Sequence, residues 1–283
     1  MSAQIPPAYR VAGPAAIAGE PRRLWNLART LAGTDWKVRF FGSVLGYVWS
    51  LLRPLLLFGI LYVVFSEIVG VGEGAVAYPI QLLSAMVLFF FVGEVTGACL
   101  TSLVDRETLV RKVGFPRIVV PLSVWLIALA NLALNAIVLV VFLALQEVEP
   151  RWSWLLVPIP VVLLAVGALG IGMLLSALYV RFRDVRPIWD VVLQAAFYAT
   201  PILYPVERVI EFSQTAATIA MMNPLAALIQ ETRHLLLGPG VPSAGEAIGG
   251  TELLLVPLGI LVALSATGVW LFTATAPTAA EDL

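Results

Sequence analysis

The sequence predicts an all-α membrane protein with six transmembrane helices, and three observations carry that prediction. Of its 283 residues, 60% are apolar and 12% are charged, whereas an ordinary soluble domain carries about twice that charge. Three apolar runs contain no Asp, Glu, Lys or Arg, and each exceeds the roughly 20 residues that cross a hydrocarbon core. Lys and Arg are also concentrated in alternate loops. The six predicted spans are residues 44–69, 77–104, 118–145, 152–180, 187–204 and 253–276.

The distribution of positive charge predicts the orientation of these spans. Of the 17 Lys and Arg residues, most fall on one side, whereas the opposite loops hold only Arg151, Arg208 and Arg233. Because Lys and Arg near span ends favour the cytoplasm, both termini are predicted to be cytoplasmic and the protein to lie in the bacterial inner membrane. The segments on the positive side are residues 1–43, 105–117, 181–186 and the tail 277–283.

The region before the first span divides into two parts. Residues 1–20 are rich in Ala, Pro and Gly without periodicity, so we expect a flexible leader. In residues 21–43, apolar side chains recur at helical spacing opposite basic ones. This pattern predicts an amphipathic helix in the headgroup plane on the cytoplasmic side. The alternative is a cytosolic helix packed on another protein. The apolar positions are Leu24, Leu27, Ala28 and Leu31.

A few polar side chains interrupt the predicted spans. Glu94 lies inside the second span, where an acid costs about 2.5–3.5 kcal/mol at the bilayer centre, so it is expected to face protein or water. Asn131 and Asn135 lie one turn apart in the third span, and interhelical hydrogen bonding is their expected role. Asp190 lies one turn inside the fifth span. The sequence identifies no role for either acid.

Residues 105–117 form the cytoplasmic segment between the second and third spans. They are more numerous than a bare hairpin turn requires. Leu109, Val110 and Val113 can share one face, and the Gly and Pro that follow stop a helix. The pattern predicts a short helix presented to the cytoplasm as a surface for a partner. The alternative is a solvated basic loop that only sets the topology.

The fifth span is irregular at its outer end. Pro201 and Pro205 are four residues apart, which precludes a regular helix through this stretch. The apolar stretch 216–229 is too short to cross a membrane and is predicted to form a re-entrant or interfacial helix pair. Broken backbone at membrane depth must be buried in protein or line a water-filled cavity. We therefore predict a polar path near residues 197–235.

Several kinds of chemistry find no support in the sequence. It contains no Gly-x-x-x-x-Gly-Lys-Ser/Thr nucleotide-binding loop, so energy for uphill transport is expected from another subunit. His234 is the single histidine and Cys99 the single cysteine, which does not support a metal site of the usual His/Cys spacing. The glycines at 167, 170 and 172 lie inside a charge-free span. Close helix packing explains them better than dinucleotide binding does.

Short motifs occur in a fixed order along the chain. They are Asp35-Trp36-Lys37-Val38-Arg39, Leu45-Gly46-Tyr47-Val48-Trp49, Leu52-Arg53-Pro54, Leu109-Val110-Arg111-Lys112-Val113-Gly114-Phe115-Pro116-Arg117, Phe182-Arg183-Asp184-Val185, Thr200-Pro201-Ile202-Leu203-Tyr204-Pro205 and Asn223-Pro224-Leu225. Together they resemble the membrane (permease) subunit of ABC-2-type polysaccharide exporters, of the O-antigen and teichoic-acid type (Wzm/TarG-like). The resemblance covers roughly residues 25–237.

The resemblance implies a transport subunit without catalytic residues or a cofactor of its own. It implies a homodimer joined to two copies of a cytosolic ABC ATPase, which binds ATP and Mg. It implies one ABC-2 transmembrane domain over residues 44–276, with the coupling helix at about 105–117 and a re-entrant gate segment at about 205–237. The expected ATPase contacts are Arg106, Glu107, Leu109, Val110, Arg111, Lys112, Phe115 and Pro116, with a secondary contact at Arg183 and Asp184.

The implied cargo is a polysaccharide on a polyprenyl-pyrophosphate carrier, such as an O-antigen, a teichoic acid or a galactan, exported from the cytoplasm. A pyrophosphate would seek the cations Lys37, Arg39 and Arg53 at the inner headgroup level. Aromatic side chains can cover the apolar faces of sugars, although each can equally serve helix packing. The candidate channel aromatics are Trp49, Phe89, Phe90, Phe91, Phe197, Tyr198 and Tyr204.

Three other functions compete with this reading. An ABC-2 permease for a drug or a small lipid would share the fold, and the basic residues and aromatic content favour the glycan carrier. A membrane-embedded polyprenyl-lipid transferase normally needs an aspartate-rich diphosphate motif, and the inner loops offer only Asp105, Glu107 and Asp184. An ion-coupled carrier built from inverted repeats would show internal symmetry, and no convincing repeat is present.

Overall fold

The structure is a computed structural model that describes residues 20–40, 44–110 and 115–276. Every regular element within these ranges is helical. A π-helical stretch at Val63–Ile68 continues α2, and 3₁₀ turns at Trp152–Leu156 and Thr251–Leu254 precede α6 and α12. The α-helices are α1 Pro21–Phe40, α2 Val44–Tyr62, α3 Tyr78–Asp105, α4 Glu107–Val110, α5 Val119–Leu145, α6 Pro158–Arg181, α7 Val185–Ala199, α8 Val206–Phe212, α9 Gln214–Met221, α10 Pro224–Leu237, α11 Ala244–Ile248 and α12 Leu255–Thr275.

Four helices in the described residues are long and apolar enough to cross a membrane. They coincide with the second, third, fourth and sixth predicted spans, and their ends lie within two residues of the predicted ones. The first predicted span, 44–69, corresponds to α2 and its π-helical continuation to Ile68, and the fifth corresponds to the shorter helix α7. The apolar part of the first is Pro54–Ile68. In the fifth, α7 has 15 residues and ends at Ala199; the next residue, Thr200, is extended because it precedes a proline.

The central helix of the bundle is α3. It packs against α5, α6 and α10, and its side chains are buried along most of its length. By contrast, α5 and α12 leave most of their apolar side chains partly or fully exposed, for example Val140 and Val262. An exposed apolar surface of this extent is typical of helices that face lipid rather than water. The most buried helix of the bundle, α3, is therefore the helix that carries Glu94.

Glycines let α6 approach two neighbouring helices closely. A Cβ atom on Gly170 would lie 2.5 Å from the Cα atom of Ser265 in α12, and one on Gly268 would collide with the Gly170 carbonyl oxygen. A Cβ atom on Gly172 would lie 2.8 Å from the Cβ atom of Cys99 in α3. Small residues allow this kind of close backbone contact in membranes. The prediction that the glycines of α6 serve helix packing is confirmed.

The amphipathic helix predicted before the first span is α1. Its apolar side chains Leu24 and Ala28 are buried against Val119 at the start of α5, whereas Arg22 and Lys37 are exposed. The apolar face is therefore largely covered by the protein's own helices. The predicted helix reached residue 43, and residues 41–43 lie outside the described ranges, as do residues 1–19 of the predicted leader 1–20 and the tail 277–283.

The region between α7 and residue 238 contains three short helices, and two of them, α9 and α10, occupy the stretch 216–229 for which the sequence predicted a helix pair. Asn223 separates α9 from α10, because its side-chain oxygen accepts the Leu225 N–H at 3.0 Å and Pro224 occupies the first turn. Ser243 and Glu246 begin α11 with a reciprocal capping box. The hydrogen bonds from Ser243 to the Glu246 carboxylate lower the pKa of that carboxyl group.

Candidate functional site

The segment that joins α3 to α5 is anchored by one apolar side chain. Val110, at the end of α4, is buried in a cluster with Leu103 of α3 and with Val180 near the end of α6. The turn after α6, which holds the exposed residues Arg183 and Asp184, therefore lies at the same end of the bundle. The structure thus brings the two predicted ATPase contacts to one end of the molecule.

The predicted contact residues on this segment differ in accessibility. Pro116 is buried with Val110, while Glu107, Leu109 and Phe115 are half-buried. The guanidinium group of Arg106 points towards α1, where it pairs with Asp35. The predicted helix 105–117 is a single turn at Glu107–Val110 within the described residues. Arg111 and Lys112 lie in the stretch 111–114, outside the described residues.

The three cations predicted to attract a pyrophosphate are only partly described. Lys37 is exposed near the end of α1. The side chains of Arg39 and Arg53 lie outside the described part of the structure, although both residues lie within helices. Trp49 lies between Arg39 and Arg53 in the sequence, on α2, and is 62% exposed.

Four of the predicted channel aromatics form one cluster where α3 meets α7. The Phe197 ring lies 5.2 Å from the Phe89 ring and 6.3 Å from the Phe90 ring, measured between centroids. It also contacts Tyr198 edge-on at 5.4 Å, and Tyr204 donates a hydrogen bond to the Tyr198 carbonyl at 3.2 Å. Phe90, Phe197 and Tyr198 keep exposed surface. Phe89 and Phe91 are buried, which fits helix packing.

A polar stripe runs along α7 and was missed by the sequence reasoning. Arg186, Asp190, Gln194 and Tyr198 recur every four residues and therefore share one face of the helix, and all four are exposed. The opposite side of α7 contacts α3, where the Trp189 indole donates to the Thr96 hydroxyl at 3.0 Å. The four-residue spacing is visible in the sequence, so periodicity could have found the stripe.

A polar cavity of about 280 Å³ lies between α1, α3 and α5. At its inner end Asn131 donates to the Glu94 carboxylate at 2.6 Å, so the predicted interhelical role of Asn131 is confirmed. Asn135 instead donates to the Asn131 carbonyl within α5. The described residues contain no group of three His, Cys, Asp or Glu side chains able to hold a metal ion together. The polar residues lining the cavity are Asp35, Glu94, Thr101, Ser102, Asp105 and Arg106.

The irregular segment after α7 is held in place by one buried arginine. Arg233 of α10 is 1% exposed and donates to the carbonyl oxygens of Pro201 at 2.6 Å, Ile202 at 3.1 Å and Gln81 at 2.9 Å. The Tyr78 hydroxyl donates to the next carbonyl, that of Leu203, at 2.6 Å. Three consecutive carbonyls are therefore satisfied by side chains, which is what allows irregular backbone at membrane depth.

These contacts differ from the polar path that the sequence predicted near residues 197–235. Residues 200–203 are buried inside the protein instead of lining an open cavity. Glu207, at the start of α8, interacts electrostatically with Arg233, and both of its carboxylate oxygens are buried without a hydrogen-bond partner among the described residues. The prolines correctly predicted where the helix breaks, but the side chains that bond to the carbonyls at the break come from α3 and α10, which are distant in sequence.

Comparison with known proteins gives a consistent result. The profile of the ABC-2 type transporter family matches residues 26–237. Two proteins of Klebsiella pneumoniae, each described as O-antigen export system permease protein RfbA, are 29% identical over 215 residues, which is 76% of this chain and 81% of theirs. A protein of Myxococcus xanthus with the same description is 26% identical over 245 residues, 87% of this chain and 89% of its own.

Proposed function

Because the chain belongs to the ABC-2 type transporter family, we propose that it is the membrane subunit of an ATP-driven exporter of a cell-surface polysaccharide. The cargo is an O-antigen or similar glycan on a polyprenyl-pyrophosphate carrier, moved from the cytoplasm to the outer side of the inner membrane. The observation that carries this proposal is the similarity, over most of the chain, to permeases described as parts of O-antigen export systems.

The energy for export comes from a separate ATPase subunit, because the sequence contains no nucleotide-binding loop. Two copies of that subunit dock on the cytoplasmic side of a permease homodimer. The docking surface is the 105–117 segment together with the turn after α6. The burial of Val110 beside Val180 supports this role, since it gives both parts one rigid base.

The first and fifth predicted spans complete a six-span topology in the homodimer, with both termini in the cytoplasm. The polar stripe on α7 supports this arrangement. Asp190 lies one turn inside this span, and a charged side chain within a span faces protein or water rather than lipid. The stripe is exposed in the single chain, so in the membrane it faces a second copy or a water-filled conduit. The short helices α8 to α10 form the outer gate of that conduit.

The aromatic cluster beside the stripe suits a glycan. Tyr198 belongs to both, so an apolar ring edge and polar groups lie next to each other on one wall. A sugar has matching surfaces: its apolar C–H face packs on an aromatic ring, and its hydroxyl groups hydrogen-bond to water and to polar side chains. Lys37, Arg39 and Arg53 attract the pyrophosphate of the carrier at the cytoplasmic side.

Charge reversal in the 105–117 segment tests the docking of the ATPase. The double variant Arg111→Glu/Lys112→Glu is expected to insert normally and to lower export by at least about tenfold, because like charges placed across an interface repel. Surface glycan in the native host and the ATPase recovered with the purified permease are the measurements. The matched control is Arg22→Glu/Arg23→Glu at the exposed start of α1. Export by the 111/112 variant at the wild-type rate would contradict the docking role.

Removal of the two cations near the end of α1 tests recognition of the carrier. The double variant Lys37→Ala/Arg39→Ala is expected to bind a polyprenyl-pyrophosphate glycan about tenfold more weakly, which corresponds to about 1.4 kcal/mol of lost attraction. Binding is measured with the purified complex in nanodiscs at two salt concentrations. Arg22→Ala/Arg23→Ala removes the same charge from the other end of α1 and should leave the affinity unchanged. Equal affinity in both doubles would reject this site.

A further inference from the structure

Two arginines hold the ends of the segment between α3 and α5. Arg106 is the first residue after α3, and Arg117 lies two residues before α5. Both side chains turn into the protein: that of Arg106 is 19% exposed, and Arg117 is 3% exposed. The segment proposed to receive the ATPase is therefore fixed to the membrane helices at both ends.

Arg106 connects three helices through one guanidinium group. Its Nη2 atom pairs with the Asp35 carboxylate of α1, and its Nη1 atom donates to the Ser123 hydroxyl of α5 at 2.7 Å. Ser123 is fully buried and donates in turn to the Val120 carbonyl at 2.7 Å, so its orientation is set by α5. Because the guanidinium fork is planar and rigid, these two bonds fix the direction of the Arg106 side chain.

The second arginine secures the other end of the segment. Arg117 donates to the carbonyl oxygen of Ala276, directly after α12. A cation is favoured at this position because the last carbonyls of a helix carry partial negative charge. The segment is therefore anchored to the membrane helices at both of its ends.

The Arg106–Asp35 contact is also able to rearrange. It borders the 280 Å³ polar cavity between α1, α3 and α5, and the Asp35 side chain is 32% exposed. Water that reaches an ion pair lowers the cost of separating its charges, whereas a dry pair is expensive to break. The Arg106–Asp35 pair can therefore adjust as the two helices shift without leaving a dry, unpaired charge.

We propose that the Arg106–Asp35 pair transmits movement of the 105–117 segment to α1, and through α1 to α2, during each transport cycle. This inference rests on the proposed function. In it, Arg106 is a positioning residue that acts through α1, in addition to any contact with the ATPase expected from the sequence. A helix of 20 residues is about 30 Å long, so a small shift at Asp35 moves the opposite end of α1 as a rigid rod.

A charge-swap experiment tests the pair. The variants are Asp35→Arg, Arg106→Asp and the double variant that carries both, expressed as full chains with the native ATPase. Asp35→Arg, which changes no expected ATPase contact, is expected to keep the ATPase bound but to lower glycan export by about tenfold, within the range of measured couplings between sites. Arg106→Asp is expected to lower export at least as much. The double variant restores opposite charges and is expected to recover export to within about threefold of wild type. Thr34→Arg adds the same charge at the exposed neighbouring position as a control.

Three measurements separate the outcomes: recovered ATPase, ATP hydrolysis and glycan export. Loss of export with hydrolysis retained, and recovery in the swap, would establish transmission through the pair. Wild-type export in both single variants would overturn it, and so would a well-inserted double variant that exports no better than either single variant. A wild-type permease that recovers no ATPase at all would overturn the proposed function as well, so the two failures are distinguishable.

Discussion

Replacement of Arg233 by methionine is expected to remove most of the correctly folded permease from the membrane. Methionine fills a similar volume but donates no hydrogen bond, so the buried carbonyls of Pro201 and Ile202 would lose their partners. Each unsatisfied buried group costs about 1–3 kcal/mol. Glu207 would also lose the buried cation that interacts with it. The yield of monodisperse protein and its melting midpoint in detergent are the measurements.

Two further variants make this prediction specific. Arg208→Met changes an exposed arginine of α8 that donates to the Glu73 carbonyl at 2.9 Å, and such exposed contacts contribute about 0–1 kcal/mol. It should be nearly neutral. Arg233→Lys keeps the charge but cannot reach both loop carbonyls together, so its stability should be intermediate. If Arg233→Met were as stable as wild type, the broken segment would not depend on this arginine.

The addition of a single methyl group at Gly268 is expected to destabilise the helix bundle by about 1–3 kcal/mol. In Gly268→Ala the new Cβ atom would collide with the Gly170 carbonyl oxygen, which belongs to the backbone of α6 and cannot rotate away. The two helices would have to separate, and the neighbouring close contact between Gly170 and Ser265 would open with them. Thermal unfolding in detergent, followed by the loss of monodisperse protein, measures the change.

The matched control is Gly259→Ala on the same helix. A Cβ atom there has no neighbour within 4 Å, and alanine is favoured over glycine in a helix by about 1 kcal/mol. The control should therefore be neutral or slightly stabilising. Because both substitutions change helix propensity equally, the difference between them isolates the close approach of α6 and α12. Equal stability of the two variants would show that this approach does not hold the bundle together.

The spans were the most predictable part of the fold. With the 3₁₀ turns that precede α6 and α12 included, the helices α3, α5, α6 and α12 match the predicted boundaries within two residues, because each is a long apolar run bounded by charges or turns. The shorter helices were less predictable. Pro201 and Pro205 predicted an irregular outer end of the fifth span, although α7 ends at Ala199 and not at the predicted residue 204. The division of residues 206–237 into three helices depends on caps at Ser213 and Asn223. Such caps depend on single side chains and produce no long pattern.

The candidate site was predictable in position but not in its contacts. Alternating apolar and basic residues located the segment after α3, and the sequence grouped Arg106 with its outward-facing neighbours. In the structure this side chain turns towards Asp35, which is 71 residues earlier in the chain. The polar stripe from Arg186 to Tyr198 could have been predicted, since a four-residue spacing can be read directly from the sequence.

The sequence by itself determined where this chain can cross a membrane and which loops carry the positive charge. Both properties depend on the transfer free energies of local segments, and these add up along the chain. Only the tertiary structure decided which polar groups meet. Arg233 reaches the Gln81 carbonyl across 152 residues, and Arg117 reaches Ala276 across 159. A buried hydrogen bond depends on the geometry between helices, and no local stretch of the sequence encodes that geometry.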